Sequence, residues 1–240
     1  MTGVEISLST LAAVTAVAGP ASYATFRPRC AWWGQVLSHG TRSGNAISLT
    51  FDDGPTPPYT SQILDILAHH RVKATFFVVG DNARNHPDIL RRMHAEGHEI
   101  GNHTTTHPHY GWLRGATYWH NQIQETDDIV REAVGQSPRF FRPPLGFKNP
   151  LTLQAARCLN KQTIAWTCRA FDGLANPPET IHARLLRACP GDILLLHDGI
   201  TSGNPSHNPT PTVQALSSVI QDLKSKNLQL VPLTQLLHRQ

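Results

Sequence analysis

The sequence predicts an α/β fold in which a mostly parallel sheet closes into a distorted seven-stranded (β/α) barrel. From residue 46 onwards, short apolar runs alternate regularly with amphipathic stretches, and this alternation is typical of β/α units. Seven or eight such units joined by right-handed crossovers tend to close into a barrel. The chain has 240 residues, of which 40% are hydrophobic, so it is long enough for one sizeable core and one catalytic domain.

The apolar runs have the length and composition of strands, and the stretches between them have the periodicity of helices. The predicted strands are residues 46–51, 74–79, 98–102, 139–142, 163–166, 192–196 and 228–231. The predicted helices are residues 60–70, 87–95, 117–134, 150–159, 178–187 and 211–224. Four of these helices begin with Pro, which is favoured in a first helical turn, and Gly97 follows the second helix as a C-terminal cap. We therefore assign residues 46–240 to the barrel.

Residues 1–45 form a separate N-terminal segment whose role the sequence leaves open. Residues 8–19 are mildly apolar, and residues 21–24 weakly resemble an export cleavage site. No Lys or Arg precedes the apolar run, so no clear signal peptide is predicted, and the run is shorter than the roughly 20 residues that span a bilayer. Two alternatives stay open: a tail packed on the barrel, and a weak membrane anchor or export segment. The compartment stays open with them.

Charge and cysteine content exclude two classes of function. The formal net charge is +4, but the basic residues are scattered and form no run, so binding of nucleic acid is not expected. The four cysteines have no Cys-x-x-Cys spacing, so neither a zinc ribbon nor a disulfide framework is indicated. We expect a monomer.

Side chains capable of chemistry follow the predicted strands at their carboxyl ends. They are Asp52, Asp53, His103, His107, Arg142, Asp172 and His197. The carboxyl face of a parallel barrel holds its active site, because the βα loops converge there. Two adjacent carboxylates at a strand end repel each other unless a cation separates their roles. The placement therefore predicts an enzyme with a metal ion.

One aspartate of the pair, with His103 and His107, supplies the donors of a catalytic divalent ion. Imidazole and carboxylate suit Zn²⁺, or Co²⁺ and Ni²⁺, better than Mg²⁺. We expect the two histidines to share one face of a single helical turn that Pro108 ends. The other aspartate is then free to act as a base towards a metal-bound water.

Four short motifs stand at these strand ends: Thr-Phe-Asp-Asp-Gly-Pro at 50–55, His-Thr-Thr-Thr-His at 103–107, Arg-Pro-Pro-Leu-Gly at 142–146 and Leu-Leu-Leu-His-Asp at 194–198. Together they resemble the motifs of the polysaccharide deacetylases of the NodB homology domain, carbohydrate esterase family 4. The resemblance covers about residues 46–237 and implies a barrel of the NodB type. It also implies metal-dependent hydrolysis of acetyl groups on an N-acetylated amino sugar in a glycan of the chitin-oligomer or peptidoglycan type, by attack of a metal-bound water.

The resemblance assigns roles to single positions. Asp52 corresponds to the catalytic base, and Arg142 to the residue that orients it. Asp53, His103 and His107 correspond to the metal ligands.

The resemblance also assigns catalytic roles to three further positions. His197 corresponds to the general acid, and Asp172 to the residue that tunes it. The backbone N–H of Leu145 corresponds to a donor that stabilises the oxyanion, together with the metal.

The substrate pocket is expected to include Trp166, Arg169, Gly173 and Leu196. Leu145 replaces a Tyr of the family motif, Arg169 replaces an Asp, and Gly173 replaces an aromatic residue. The metal and acid–base set is complete, so we expect catalysis on an altered substrate. The alternatives are an O-acetyl esterase of the acetylxylan type, an amidohydrolase of a small non-sugar amide and, less favoured, a non-catalytic glycan-binding barrel.

Overall fold

The computed structural model describes residues 18–174, 176–201 and 207–238, and their strands form one parallel sheet. The strands are β1 (Ala46–Asp52), β2 (Thr75–Val78), β3 (Glu99–Asn102), β4 (Phe140–Phe141), β5 (Gln162–Thr163), β6 (Cys168–Arg169), β7 (Ile193–His197) and β8 (Gln229–Leu230). Seven of them follow the order β5-β4-β3-β2-β1-β7-β6, and β8 pairs with the beginning of β1. The sheet curls into a half-barrel, which confirms the predicted fold class.

Helices follow most of the strands and cover the outside of the sheet. They are α1 (residues 18–26), α2 (Tyr59–His69), α3 (Gly80–Asn85), α4 (Pro87–Ala95), α5 (Ala116–Val134), α6 (Pro150–Cys158), α7 (Pro178–Leu185), α8 (Thr210–Ser225) and α9 (Leu233–Leu237). All six predicted helices are present. The prediction missed α3 and α9, because helices of six and five residues are too short to show a periodicity.

The prediction also missed β6 and misplaced the strand expected at residues 163–166. A single extended segment begins as β5, which pairs with β4, and ends as β6, which pairs with β7. Because β5 and β6 are the two ends of the strand order, this segment runs from one edge of the sheet to the other. Each strand is only two residues long, so neither carries a periodicity that the sequence reveals.

The central strand β1 sets the position of the active site. Ile47, Leu49 and Phe51 pack into the core between the sheet and its helices. Since side chains alternate along a strand, Thr50 and Asp52 point to the opposite face. The register places Asp52 beside His197 of β7, and so brings two of the predicted catalytic residues together.

The described part of the N-terminal segment packs on the barrel. Leu37 forms a bridge to Ile164, and the buried amine of Lys148 donates hydrogen bonds to the carbonyl oxygens of Arg27 and Pro28 at 2.8 and 3.1 Å. Most of the mildly apolar stretch at residues 8–19 lies outside the described residues. In the part of the chain that the structure describes, no helix combines the length and apolar character needed to cross a membrane.

Candidate active site

Asp53, His103 and His107 converge at the carboxyl end of the sheet. Asp53 directly follows β1, and the two histidines lie in the loop after β3. The Asp53 Oδ1 atom is 3.2 Å from His107 Nε2 and 3.5 Å from His103 Nε2. One potential donor atom from each residue lies within 4.8 Å of the other two. The three predicted metal ligands therefore form one cluster.

The loop that carries the two histidines is not helical, so the predicted helical turn is wrong. Thr104 and His107 have φ values of +70° and +50°, which a right-handed helix does not allow. The Asn102 side chain accepts a hydrogen bond from the Thr104 N–H at 2.9 Å, and the Thr104 hydroxyl accepts one from the His107 N–H at 3.2 Å. These side chains replace the hydrogen bonds of a helical turn and fold the loop so that both imidazoles face Asp53.

The donor chemistry of the cluster fits a divalent cation. Asp53 Oδ1 is buried and has no hydrogen-bond partner among the described residues. The His103 Nδ1 atom lies 2.7 Å from the backbone carbonyl of Arg142 and donates to it, which leaves Nε2 with its lone pair towards Asp53. Burial raises the pKa of Asp53, but His107 and His103 outweigh this and hold it below its usual range. An ionised carboxylate and imidazole nitrogens are donors that Zn²⁺ prefers.

Asp52 lies beside the cluster and is held by Arg142. The guanidinium Nη1 donates to Asp52 Oδ1 at 2.6 Å and to the Thr50 hydroxyl at 2.9 Å. Arg142 is fully buried, and its guanidinium lies 4.0 Å from the centre of the Phe77 ring. A buried arginine with this many contacts has one orientation, so the carboxylate of Asp52 has one orientation too.

His197 and Asp172 form a second charged pair on the opposite side of the cavity. His197 Nδ1 is 2.8 Å from Asp172 Oδ1, and the His197 backbone N–H donates to Asp172 Oδ2 at 2.7 Å. The Thr212 hydroxyl also donates to Oδ2 at 2.8 Å. Burial lowers the pKa of His197, but the carboxylates of Asp172, Asp53 and Asp52 together outweigh burial and raise it to about 9. His197 is therefore protonated at neutral pH, as a general acid must be.

A cavity of about 250 Å³ lies over these groups and includes three of the four predicted pocket residues. Trp166, Arg169 and Gly173 line it, as does Leu145, which has a φ of +57°. Leu196 does not line the cavity.

The expected role of Leu196 is corrected by the alternation of side chains along β7. Leu196 is completely buried in the core between sheet and helices, while Leu195 and His197 face the cavity. Successive residues of a strand point to opposite faces, so a residue adjacent to His197 in the strand cannot share its face. Leu195 takes the place that the sequence analysis gave to Leu196.

Sequence reasoning also missed Asp198, a buried carboxyl group next to the site. The Thr60 hydroxyl donates to Asp198 Oδ2 at 2.6 Å. Burial, together with the carboxylates of Asp53 and Asp52, raises the pKa of Asp198 to about 7. Gly54 packs directly on this carboxyl group, because a Cβ at Gly54 would lie 2.0 Å from Oδ2. The signal in the sequence that could have indicated Asp198 is its position directly after His197, at the end of an apolar strand.

Two further histidines in the cavity were missed as well. The His109 ring is 5.2 Å from that of His107, and the His207 ring is 5.7 Å from that of His197. Both line the cavity. No spacing in a chain with 14 histidines distinguishes them, because tertiary structure alone brings them to the site.

Comparisons with known proteins agree with this geometry. The polysaccharide deacetylase family matches residues 39–164. The chain is 38% identical to a chitooligosaccharide deacetylase of Bradyrhizobium sp. over 204 residues. The aligned region covers 82% of this chain and 91% of that protein. The chain is also 37% identical to a peptidoglycan-N-acetylglucosamine deacetylase of Bacillus cereus over 188 residues. This aligned region covers 78% of this chain but only 66% of that protein.

A solved structure shows the same architecture. The Bc1960 peptidoglycan N-acetylglucosamine deacetylase superimposes with a TM-score of 0.78 at 34% sequence identity, over 85% of this chain and 92% of that one. The family match covers more than half of the chain, and the match to the chitooligosaccharide deacetylase extends over 91% of that protein. The chain therefore belongs to the polysaccharide deacetylases of the NodB type, carbohydrate esterase family 4.

Proposed function

We propose that this chain is a metal-dependent deacetylase that hydrolyses the acetyl group of an N-acetylated amino sugar in a glycan. The observation that carries the proposal is the convergence, in one cavity, of a metal-ligand cluster, an arginine-held carboxylate and a protonated histidine. The relatives named above act on peptidoglycan and chitooligosaccharides, which both contain such sugars.

Asp53, His103 and His107 hold the metal ion in this proposal, and Zn²⁺ is the ion that their donor atoms favour, with Co²⁺ and Ni²⁺ as substitutes. When bound, the ion supplies Lewis acidity to the acetyl carbonyl and lowers the pKa of water. The hydrogen bond from His103 Nδ1 to the Arg142 carbonyl fixes the ring that offers Nε2.

Asp52 acts as the general base. Its carboxylate takes a proton from the attacking water, while Arg142 keeps it directed at the cavity. The backbone N–H of Leu145, on a tight turn at the edge of the cavity, is proposed to stabilise the oxyanion that forms on the acetyl carbonyl.

His197 acts as the general acid and protonates the departing nitrogen. Its Nδ1 is engaged by Asp172, so Nε2 carries the proton that is transferred. Water is consumed, the C–N bond of the acetamide is cleaved, and acetate and a free amine are released. An amine leaves only when protonated, and the raised pKa of His197, about 9, keeps the proton available at neutral pH.

Acetate release tests the proposal. The protein is stripped with a chelator, reconstituted with Zn²⁺, Co²⁺ or Ni²⁺, and assayed with N-acetylchitooligosaccharides, peptidoglycan fragments, acetylxylan and a small non-sugar amide. We expect acetate from the first two, and none without metal. Preference for acetylxylan would identify an O-acetyl esterase, and preference for the small amide an amidohydrolase. Glycan binding without acetate release under any metal would identify a non-catalytic barrel and overturn the proposal.

A further inference from the structure

A second, larger concavity lies directly beside the catalytic cavity. It has a volume of about 600 Å³, and its lining includes Tyr23, Arg27, Arg29, Trp166, Arg169 and Phe171. Trp166 and Arg169 line the catalytic cavity as well, so the two spaces adjoin each other. We call the larger concavity the arginine groove. A polymer with one sugar in the catalytic cavity has to extend past its edge, and the arginine groove lies at one of these edges.

The groove carries positive charge that the protein does not neutralise. Among the described residues, no carboxylate lies within ion-pair distance of Arg27, Arg29 or Arg169. Other arginines in the described part of the chain, such as Arg91, also lack a carboxylate partner, but these three line one concavity. Arg27, Arg29 and Arg169 are exposed. Three unpaired guanidinium groups around one concavity attract an anion, and guanidinium binds carboxylates in a bidentate manner.

Aromatic rings lie among these charges. The Arg169 guanidinium is 4.8 Å from the centre of the Phe171 ring and 6.0 Å from that of Trp166, and the Arg27 guanidinium is 5.4 Å from that of Tyr23. Stacked guanidinium groups are pre-oriented, and the exposed ring of Tyr23 provides apolar surface for a sugar ring. The combination suits a ligand that is a saccharide and an acid.

The wall of the groove is rigidly attached to the catalytic edge. Gly146, next to Leu145, has a φ of +71°, and a Cβ there would lie 2.7 Å from both Pro28 and Trp166. Lys148 donates to the carbonyl oxygens of Arg27 and Pro28. The segment that carries Arg27 and Arg29 is thus fixed against the turn that borders the active site.

We propose that the arginine groove binds a carboxylate-bearing part of the glycan next to the sugar being deacetylated. This rests on the proposed function and deepens it, because it selects acidic glycans of the peptidoglycan type over neutral chitin oligomers. The carboxylate belongs either to the lactyl group of a muramic acid residue or to a peptide attached to that group. The two sources share the same chemistry.

The test compares three substrates of equal sugar length: an N-acetylchitooligosaccharide, a peptidoglycan glycan without peptides, and the same glycan with its peptides. The holoenzyme is compared with the double variant R27Q/R29Q, and Arg91→Gln is the matched control. Arg91 is an exposed arginine of α4 that lines neither the catalytic cavity nor the arginine groove. The readout is the ratio of kcat/KM for an acidic glycan to kcat/KM for the neutral one.

We expect this ratio to fall roughly fivefold or more in R27Q/R29Q, at low ionic strength, and to stay unchanged in Arg91→Gln. High salt should reduce the wild-type ratio towards that of the variant. A fall seen with the peptide-free glycan identifies the lactyl carboxylate, and a fall seen only with the peptides identifies the peptide.

An unchanged ratio in R27Q/R29Q, while all glycans are still deacetylated, overturns the proposal that the arginine groove binds a carboxylate. It does not contradict the proposed function. Absence of acetate from every glycan with the wild-type holoenzyme overturns the proposed function instead. Thermal unfolding of the double variant shows whether it is folded. Arg169→Gln, which affects both spaces, provides a second variant whose ratio should fall in the same direction.

Discussion

The guanidinium of Arg142 donates to the Asp52 carboxylate at 2.6 Å, while the backbone carbonyl of the same arginine accepts the Nδ1–H of His103 at 2.7 Å. One residue therefore orients both the proposed base and a proposed metal ligand, through different atoms. A side-chain substitution removes the first contact and leaves the second.

Arg142→Gln is accordingly expected to lower kcat about 100-fold without abolishing metal binding. Asp52 stays buried without its cation, so the free energy of unfolding should also fall by about 3 kcal/mol. Steady-state kinetics, metal content and urea denaturation measure the three quantities. Loss of the metal from Arg142→Gln would show that the guanidinium, and not only the carbonyl, supports the ligand cluster.

Substitution should separate the proposed base from the metal ligands, since Asp52 lies outside the ligand cluster that contains His103. Asp52→Asn is expected to keep its metal and to lose turnover by about 1000-fold, whereas His103→Ala should lose both metal and turnover. Metal content by mass spectrometry and acetate release give the comparison. Full activity in Asp52→Asn would contradict the assignment of the base.

The pair of His197 and Asp172 predicts the alkaline side of the pH profile. A general acid works only while protonated, and the pKa of His197 is raised to about 9, so activity should decline as the pH rises through about 9. Asp172→Asn removes the carboxylate that contributes most to the raised pKa of His197, so the decline should move to lower pH. Thr212→Val, which removes one hydrogen bond to Asp172, should leave the decline almost in place. An alkaline limb that does not move in Asp172→Asn would contradict the role of His197.

Asp198 predicts a pH dependence of stability rather than of rate. Its pKa is about 7 in the folded protein, against an ordinary value of 3.8, so the folded state binds more protons than the unfolded state between these values. The contribution of Asp198 to stability therefore falls as the pH rises from about 4 to 7. The change in unfolding free energy from about pH 5 to pH 8 should be more favourable in Asp198→Asn than in the wild type by roughly 2 kcal/mol. Urea denaturation of the protein, stripped of metal with a chelator, measures the unfolding free energy at both pH values. An equal change in the wild type and in Asp198→Asn would contradict the prediction.

The fold was predictable where an element coincides with an apolar run or with a helical periodicity. The seven-residue β1 and helices such as α5 have clear periodicity and clear ends. The exceptions are β6, which is two residues long and depends on its pairing with β7, and the short helices α3 and α9. Their conformation is set by tertiary contacts that a local pattern does not contain.

The residues of the site also divide into features that the local sequence predicts and features that tertiary contacts determine. Chemical identity and strand-end position were enough to find Asp52, Asp53, His103 and His107 as a group, but not the conformation of their loop. The left-handed φ of Thr104 depends on the Asn102 side chain, and no spacing rule includes that contact.

The alternation of side chains along a strand, on the other hand, is visible in the sequence and determines which residues share a face. It places Thr50 on the face of Asp52, where it shares the Arg142 guanidinium. It also places Leu195, and not Leu196, on the face of His197.

Lys148 bears on how much of the chain is needed for folding. Its ammonium group is fully buried, burial lowers its pKa to about 8, and its acceptors are carbonyl oxygens of Arg27 and Pro28. The family match begins only at residue 39. A chain trimmed to that point would retain every catalytic side chain, but it would lose both hydrogen bonds of the Lys148 ammonium group, at a cost of about 1 to 3 kcal/mol. Differential scanning calorimetry should show a lower melting temperature, so the minimal cooperative unit of this enzyme is larger than its minimal catalytic set.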